Sequence, residues 1–400
     1  MVKKIFFLFL FTVVTGKLLV SEPFYEEFEK IEEKIKQTKA AQVIKLTDIE
    51  KEKSKNGFLI IPMIYYTPET DFAFGGSLLY YYRLKSQTVE NRPSYFQTHL
   101  VYTLNNQLIS VANAENYFLG ERLHFFERVE VSKYPDYFYG IGNDNPDPVK
   151  EKFTSLYTLA EINGQYSIAD HIFAGVKWDF GHYNMMDVQD KIGEKNRFGE
   201  TSYTDAKLKD PSTPGSNGGT VSGLGIFLRF DSRDRTTYPK HGNFSTVTLT
   251  QYHNILGSDY NFKKLTLDIR QYITLYENII FAFQVFSEFN QGDVPFMFMP
   301  AVGGAEMLRG YPEGRYRDKN ALFVQNELRF PIFWRFSGAV FFSFGDVFDS
   351  HRDISKEMIK YAGGIGIRFA VDTQEKINIR MDYGATADGG NVYFFMLEAF

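Results

Sequence analysis

From Gly57 to Phe400 the chain alternates apolar and polar positions with a period of two. In KKLTLDIRQY, 263–272, Leu265, Leu267 and Ile269 fall on one face, and Lys264, Thr266, Asp268 and Arg270 on the other. In NIIFAFQVFSEFN, 278–290, Ile279, Phe281, Phe283 and Val285 oppose Ala282, Gln284 and Glu288. In KINIRMDYG, 376–384, Ile377, Ile379, Met381 and Tyr383 oppose Asn378, Arg380 and Asp382. Side chains of a strand point alternately to its two faces, so each segment reads as a strand with one apolar face. The pattern predicts sixteen strands, at 57–66, 71–83, 94–104, 107–118, 121–133, 153–166, 170–182, 220–231, 242–252, 260–272, 278–290, 321–331, 336–346, 358–369, 375–384 and 391–400. An even number suits a closed antiparallel barrel with both ends of the chain on one side of a membrane. Connections such as TPETD, SIAD, LYEN and VDTQE are short, whereas those at 183–219 and 291–320 are long. Short periplasmic turns and long outer loops produce this inequality.

Composition separates two all-β readings. Of 400 residues, 40 are Phe and 26 Tyr, yet mean hydropathy is -0.27. Beyond residue 20 no run approaches the roughly 18 apolar residues of a membrane helix. A soluble sandwich also alternates, but so heavy an aromatic load on one strand face fits lipid outside and a polar lumen inside. The net charge of -5 gives no footprint for nucleic acid. The absence of Cys excludes disulfides, cysteine zinc sites and a lipid-anchored N-terminus.

Residues 1–20 read as a secretory signal peptide. Lys3 and Lys4 precede the apolar stretch Ile5–Val14, and Val14 and Gly16 form a small-residue cleavage site, with Ser21 a second choice. Residues 21–56 are charged, and Phe24, Phe28, Ile31 and Ile35 make one helical stripe. About 35 residues are too few for a domain, so the segment reads as a periplasmic helix and linker. It is either a solvated tail or, through 22–41, the contact for a periplasmic or oligomeric partner.

GIFLRFDSRDRTTYPKHGNFSTVTLTQY, 225–252, is followed by GGAEMLRGYPEGRYRDKNALFVQNELRFPI, 303–332, and then VFFSFGDVFD, 340–349. This series resembles the BamA/TamA family, the bacterial surface-antigen barrels of outer-membrane assembly and two-partner secretion. PMIYYTPETDFAFGGSLLYYYR, 62–83, is similar to the first hairpin of short members. The resemblance implies a 16-stranded transmembrane barrel in the bacterial outer membrane, with the loop after the eleventh strand folded into its bore. The tip of that loop is Arg309, Gly310 and Tyr311, and the resemblance implies an acidic partner for Arg309 on the lumen wall. Candidates on inward faces are Glu288, Glu327, Asp268 and Asp382. The family's Phe-x-Asp partner position reads Phe341-Phe342-Ser343 here, which leaves Asp346, three residues on, as a substitute. Ala362, Gly364 and Gly366 share one face and would leave room for the loop. The family's client-capturing POTRA domains need about 75 residues each, more than 21–56 holds.

No Gly-x-Ser-x-Gly, His-Glu-x-x-His or phosphate-cradling loop occurs, so neither an enzyme nor a cofactor is expected. His124, His171 and His182 fall in or beside strands and read as lumen or girdle residues. Asn143, Asp144, Asn145 and Asp147 offer oxygens at no recognised Ca²⁺ spacing and read as an outer turn. Three functions stay open. The first is a biogenesis or transport barrel, serving unfolded barrel clients or lipid cargo, whose seam between 57–66 and 391–400 opens. The others are a gated or passive pore and a surface-display barrel. Pro62, with no N–H to donate, locally weakens the first strand, and Phe400 ends an alternating last strand as outer-membrane barrels do.

Overall fold

The computed structural model describes residues 56–83, 92–144, 150–195, 201–350, 358–372 and 377–400. The expected signal peptide and all but the last residue of the 21–56 segment lie outside these, as do Asn145 and Asp147. The strands are β1 (Asn56–Thr67), β2 (Asp71–Tyr82), β3 (Ser94–Thr103), β4 (Leu108–Phe118), β5 (Leu123–Phe138), β6 (Glu151–Ala169) and β7 (Ile172–Met186). Then come β8 (Lys191–Lys195), β9 (Thr201–Asp205), β10 (Gly219–Asp231), β11 (Gly242–Tyr252), β12 (Phe262–Tyr276) and β13 (Ile279–Gly292). The last are β14 (Ala301–Val302), β15 (Tyr316–Arg317), β16 (Asn320–Phe333), β17 (Phe336–Phe348), β18 (Lys360–Asp372), β19 (Ile377–Thr386) and β20 (Gly389–Met396). Sixteen of them close one antiparallel barrel in chain order, while β8–β9 and β14–β15 are small hairpins inside two long connections.

The outward face explains why the chain closes this way. Phe58, Ile60, Val176 and Ile226 are each more than 60% exposed, at 71%, 63%, 62% and 63%. Among the described residues no second layer covers them, as a sandwich would, so the apolar face is a lipid face. The inward face is polar and charged, with Glu327, Arg329, Arg368, Arg380 and Asp382 all buried.

The barrel has a near end, where β1 starts and β20 ends, and a far end with the long connections. TPETD departs from the expected sorting, because chain order puts the β1–β2 turn at the far end with the long loops. The β10–β11 connection, 232–241, is a longer segment at the near end. The far end is capped by an apolar cluster in which Phe296 meets Phe138 and Phe153 at ring distances of 5.0 and 5.9 Å.

Interfaces between strands are unequal. β5 and β6 are registered from Leu123↔Tyr166 to Phe138↔Glu151, whereas β1 and β20 share one registered pair, Tyr66↔Phe394. The expected last strand, 391–400, is shorter than its pattern suggested. At Leu397 φ is +67°, and the chain leaves the wall there. Phe400 turns into the lumen and packs on Tyr272 and Ala282. Phe400 is therefore not a seam residue. Its ring is buried more completely inside than on the lipid face.

Candidate functional site

After β13 the chain makes a short turn at Phe296–Phe298, and the β14–β15 pair then closes the base of an inward loop. Leu308 and Tyr311 at the loop's tip join Val302, Tyr316, Phe323 and Val347 in an apolar cluster against the wall. Between them Arg309, 1% exposed, points at the wall. Its two terminal nitrogens donate to Asp382 Oδ2 and Glu327 Oε2, each at 2.6 Å. The Phe341 ring lies 3.6 Å from its guanidinium carbon. A buried guanidinium is tolerable because carboxylates take its charge and a ring takes its face.

Register explains this meeting. Glu327 is opposite Phe341, Phe341 opposite Gly364, Gly364 opposite Gly384, and Gly384 opposite Asn391. One row of the wall thus runs acid, ring, glycine, glycine, amide. A Cβ on Gly384 would strike the Arg309 carbonyl oxygen, so the loop backbone lies directly on this glycine. At Gly310 φ is +128°, and a Cβ there would come within 2.8 Å of Thr386. Ala362 does lie against the loop, in one apolar cluster with Leu308 and Tyr311, but Gly364 and Gly366 do not make the room for it. A Cβ on Gly364 would strike the Phe341 ring, and one on Gly366 would strike Asp382 and Arg368, so these glycines accommodate wall side chains.

Three further arginines complete the cluster. Arg329 Nε donates to Glu327 Oε1 at 2.8 Å. Arg368 donates to Asp382 Oδ1 at 2.6 Å and to Glu398 Oε2 at 3.1 Å. Arg380 donates to Asp382 Oδ2 at 2.7 Å and to the Ala305 carbonyl of the loop at 2.9 Å. Four guanidiniums share three carboxylates and the Phe400 main-chain oxygen, which accepts from Arg329 at 2.9 Å. Such a buried network contributes little net stability over an apolar filling, but it tolerates the loss of one member poorly. Its geometry defines one position for the loop.

The tip also holds β20. Gly310 N donates to Tyr393 Oη at 3.0 Å, Tyr393 Oη donates to the Tyr311 carbonyl at 3.1 Å, and Asn391 Nδ2 donates to the Gly310 carbonyl at 2.6 Å. On the other side of the seam, Glu313 N donates to Glu69 Oε1, in the β1–β2 turn, at 2.8 Å. Loss of hydration among the surrounding lumen walls, then the neighbouring Glu69 and Asp136, pushes the Glu313 carboxyl up to about 7, against the opposing pull of Arg317, although the residue keeps an exposed surface in the lumen.

The other sequence candidates lie elsewhere. Asp346 accepts from Asn143 Nδ2 at 3.0 Å and does not reach Arg309. Glu288 pairs with Lys264 at 3.1 Å, and Asp268 with Arg270 at 2.6 Å. Both are taken by cations of the facing or same strand, closer than the loop tip. His124 stacks on Tyr117 at 4.5 Å, while His171 and His182 bond to Asp231 and Thr220. Pro62 is exposed on β1 and registered with Gly76 of β2. Sequence reasoning missed Arg329, Arg368, Glu398, Asn391, Tyr393 and Gly384. For all but Glu398 the available signal was inward parity on the strands nearest the loop; alternation puts Glu398 on the outer face with Val392 and Met396, where a charge is out of place.

A family model described as the Omp85 superfamily domain matches residues 93–393. Solved structures with the same barrel include BamA from Haemophilus ducreyi lacking POTRA domains 1-3, with 9% identity and a TM-score of 0.57 over 86% of this chain and 70% of that one. CdiB from Escherichia coli gives 8% identity and a TM-score of 0.56, over 84% of this chain and 62% of that one. CdiB from Acinetobacter baumannii gives 9% and 0.52, over 86% and 60%. The chain thus spans less than two thirds of either CdiB chain. No curated protein matches it significantly.

Proposed function

Because the chain belongs to the Omp85 superfamily, we propose that it acts in the bacterial outer membrane by opening between β1 and β20 to insert or translocate proteins or lipids. The observation that carries this reading is the seam, with its single registered pair beside fully registered neighbours. Below Tyr66, β1 offers a length of strand edge with no registered partner on the β20 side. Such an edge is a template for an incoming strand. Its side chains suit the task as well. Phe58, Ile60 and Ile64 face lipid, and Leu59, Ile61 and Met63 on the other face are apolar too. A strand apolar on both faces loses little when its inner face meets lipid. Partners on this reading are outer-membrane lipid and unfolded barrel strands or lipid cargo, with the N-terminal segment exported and removed as a signal peptide.

The test is a lock. The chain has no Cys, so the pair Tyr66→Cys and Phe394→Cys reports only on the seam. Locked cells should lose other barrels, or surface lipid, from the outer membrane by quantitative proteomics and lipid analysis, and a reductant should restore them. Unchanged membranes in locked cells, with altered solute uptake on deleting 303–320, would replace this reading with the pore.

A further inference from the structure

Phe244 lies on the inward face of β11, close to its near end, opposite in parity to the exposed Val247 and Leu249. Three guanidiniums surround its ring. Those of Arg233, Arg270 and Arg229 lie 4.5, 5.3 and 5.6 Å from the ring centre. Arg233 comes from the 232–241 connection and Arg270 from β12. Arg229 comes from β10 and also lies 5.4 Å from the ring of Phe227. Two of the three are neutralised. Arg233 holds Asp231 through Nε and one terminal nitrogen, at 2.9 and 2.8 Å. Arg270 holds Asp268 in the same way, at 3.1 and 2.6 Å. Arg229, half-buried, makes no hydrogen bond and no ion pair with any described residue, and its Nε is buried without an acceptor. The nearest other carboxylates are engaged elsewhere. Glu115 accepts from Tyr117 at 2.5 Å, and Glu161 from Asn163 at 2.6 Å with Lys177 at 3.7 Å. Aromatic rings favour the face of a guanidinium but leave its N–H groups unfilled. Three guanidiniums against two carboxylates leave one positive charge and one empty donor fork.

We infer that Arg229, with Arg233 and Arg270 beside it around Phe244, forms a binding site for a phosphate group at the near end of the lumen. A guanidinium offers paired N–H donors that match two oxygens of a phosphate, and flanking guanidiniums add charge without needing to move. A phosphate carries oxygens in several directions, so it can face donors arriving from β10, β12 and the 232–241 connection together. Thr246, registered with Arg229 on the same inward face, brings a hydroxyl to the rim. Phe227 and Phe244 form an apolar floor, which strengthens a charged hydrogen bond by keeping water from one side of it. The phosphate is either free in solution or the headgroup of a lipid. β10, β11 and β12 are the eighth, ninth and tenth of the sixteen barrel strands in order, across the barrel from β1 and β20. The site therefore stands independently of the seam reading, and neither falls with the other.

Calorimetric titration of the purified full chain in micelles of an uncharged detergent tests this, at an ionic strength fixed with chloride. One arm uses inorganic phosphate and the other dihexanoyl phosphatidylglycerol below its own micelle concentration. At least one probe should bind. Arg229→Gln should weaken that binding by about tenfold or more, since it removes a charged, two-pronged donor. Arg229→Lys keeps the charge without the fork and should fall between. No carboxylate pairs with Arg229, so either variant leaves the ion pairs of the barrel intact and should keep the gel mobility of the folded parent. Arg128→Gln removes a lumen arginine already engaged with Glu130 at 2.7 Å and should match the parent. Binding of inorganic phosphate alone assigns the site to the free anion, and binding of the lipid probe alone assigns it to a headgroup. If neither probe binds, or if binding survives unchanged in folded Arg229→Gln, the site is wrong.

Discussion

Replacing Glu327 with Gln should damage the barrel more than replacing Arg309 with Ala, although Arg309 carries the family's loop motif. Glu327 is fully buried and receives Arg309 at 2.6 Å, Arg329 at 2.8 Å and Arg368 at 3.3 Å. Without its charge, four guanidiniums would face two carboxylates in a site closed to bulk water. Breaking a buried pair costs about 3–5 kcal/mol when one charge is left over, and here the excess falls on three arginines, so the upper figure applies. Arg309→Ala leaves Glu327 with Arg329 and Arg368, and Asp382 with Arg368 and Arg380. Neither carboxylate is orphaned, so the loss is about 3 kcal/mol, including the stacking on Phe341. Urea unfolding of the full chain refolded into vesicles measures both, with Arg309→Lys expected to fall between Arg309→Ala and the parent. Equal stability of Glu327→Gln and the parent would refute the assignment of Glu327 as the cluster's central anion. So would an Arg309→Ala loss larger than that of Glu327→Gln.

Other consequences are simpler to read. Gly384→Ala puts a methyl group where the Arg309 carbonyl now lies, so protease should cut loop 303–318 faster while the barrel stays folded. The Glu313 carboxyl sits at about 7 rather than its ordinary 4.5; the folded loop binds a proton in this window that the unfolded chain releases. Loop docking should therefore be strongest below pH 4.5, weaken as pH rises to 7 and stay level above it, and Glu313→Gln should abolish the slope in limited proteolysis across that range. Phe298 packs on Tyr252 and Tyr183 at 6.2 and 5.7 Å in the far-end cap, so Phe298→Ala should raise single-channel conductance in planar bilayers.

The strands were readable because a lipid face and a polar lumen impose period two on one strand after another from Gly57 onward. The loop was readable because its glycines and Arg309 stand together in sequence. The arginine's partners were only half readable. Glu327 and Asp382 had the right parity, but so did Glu288 and Asp268, and the choice depends on which strands lie beneath the tip. Asp346 was attractive through its place near the family's Phe-x-Asp position, yet Asn143, from a loop some 200 residues earlier in the chain, occupies it. The inward turn at Leu397 left one local trace, Glu398, which continued alternation would put on the lipid face with Val392 and Met396, but its destination was not readable, because Arg368 and Arg329 on distant strands receive Glu398 and Phe400.

The unequal strand lengths bear on the bilayer itself. β20 has 8 residues, which at about 3.4 Å each and about 45° of tilt span about 19 Å, short of a hydrocarbon core of about 30 Å. β6, with 19 residues, reaches about 46 Å on the same terms. Lipid beside the last strand must thin or tilt to meet so low a wall, at a cost of a fraction of a kcal/mol for each Å of mismatch. The membrane next to the seam is therefore strained, and on the proposed reading a chain or lipid crossing there has less hydrocarbon left to traverse.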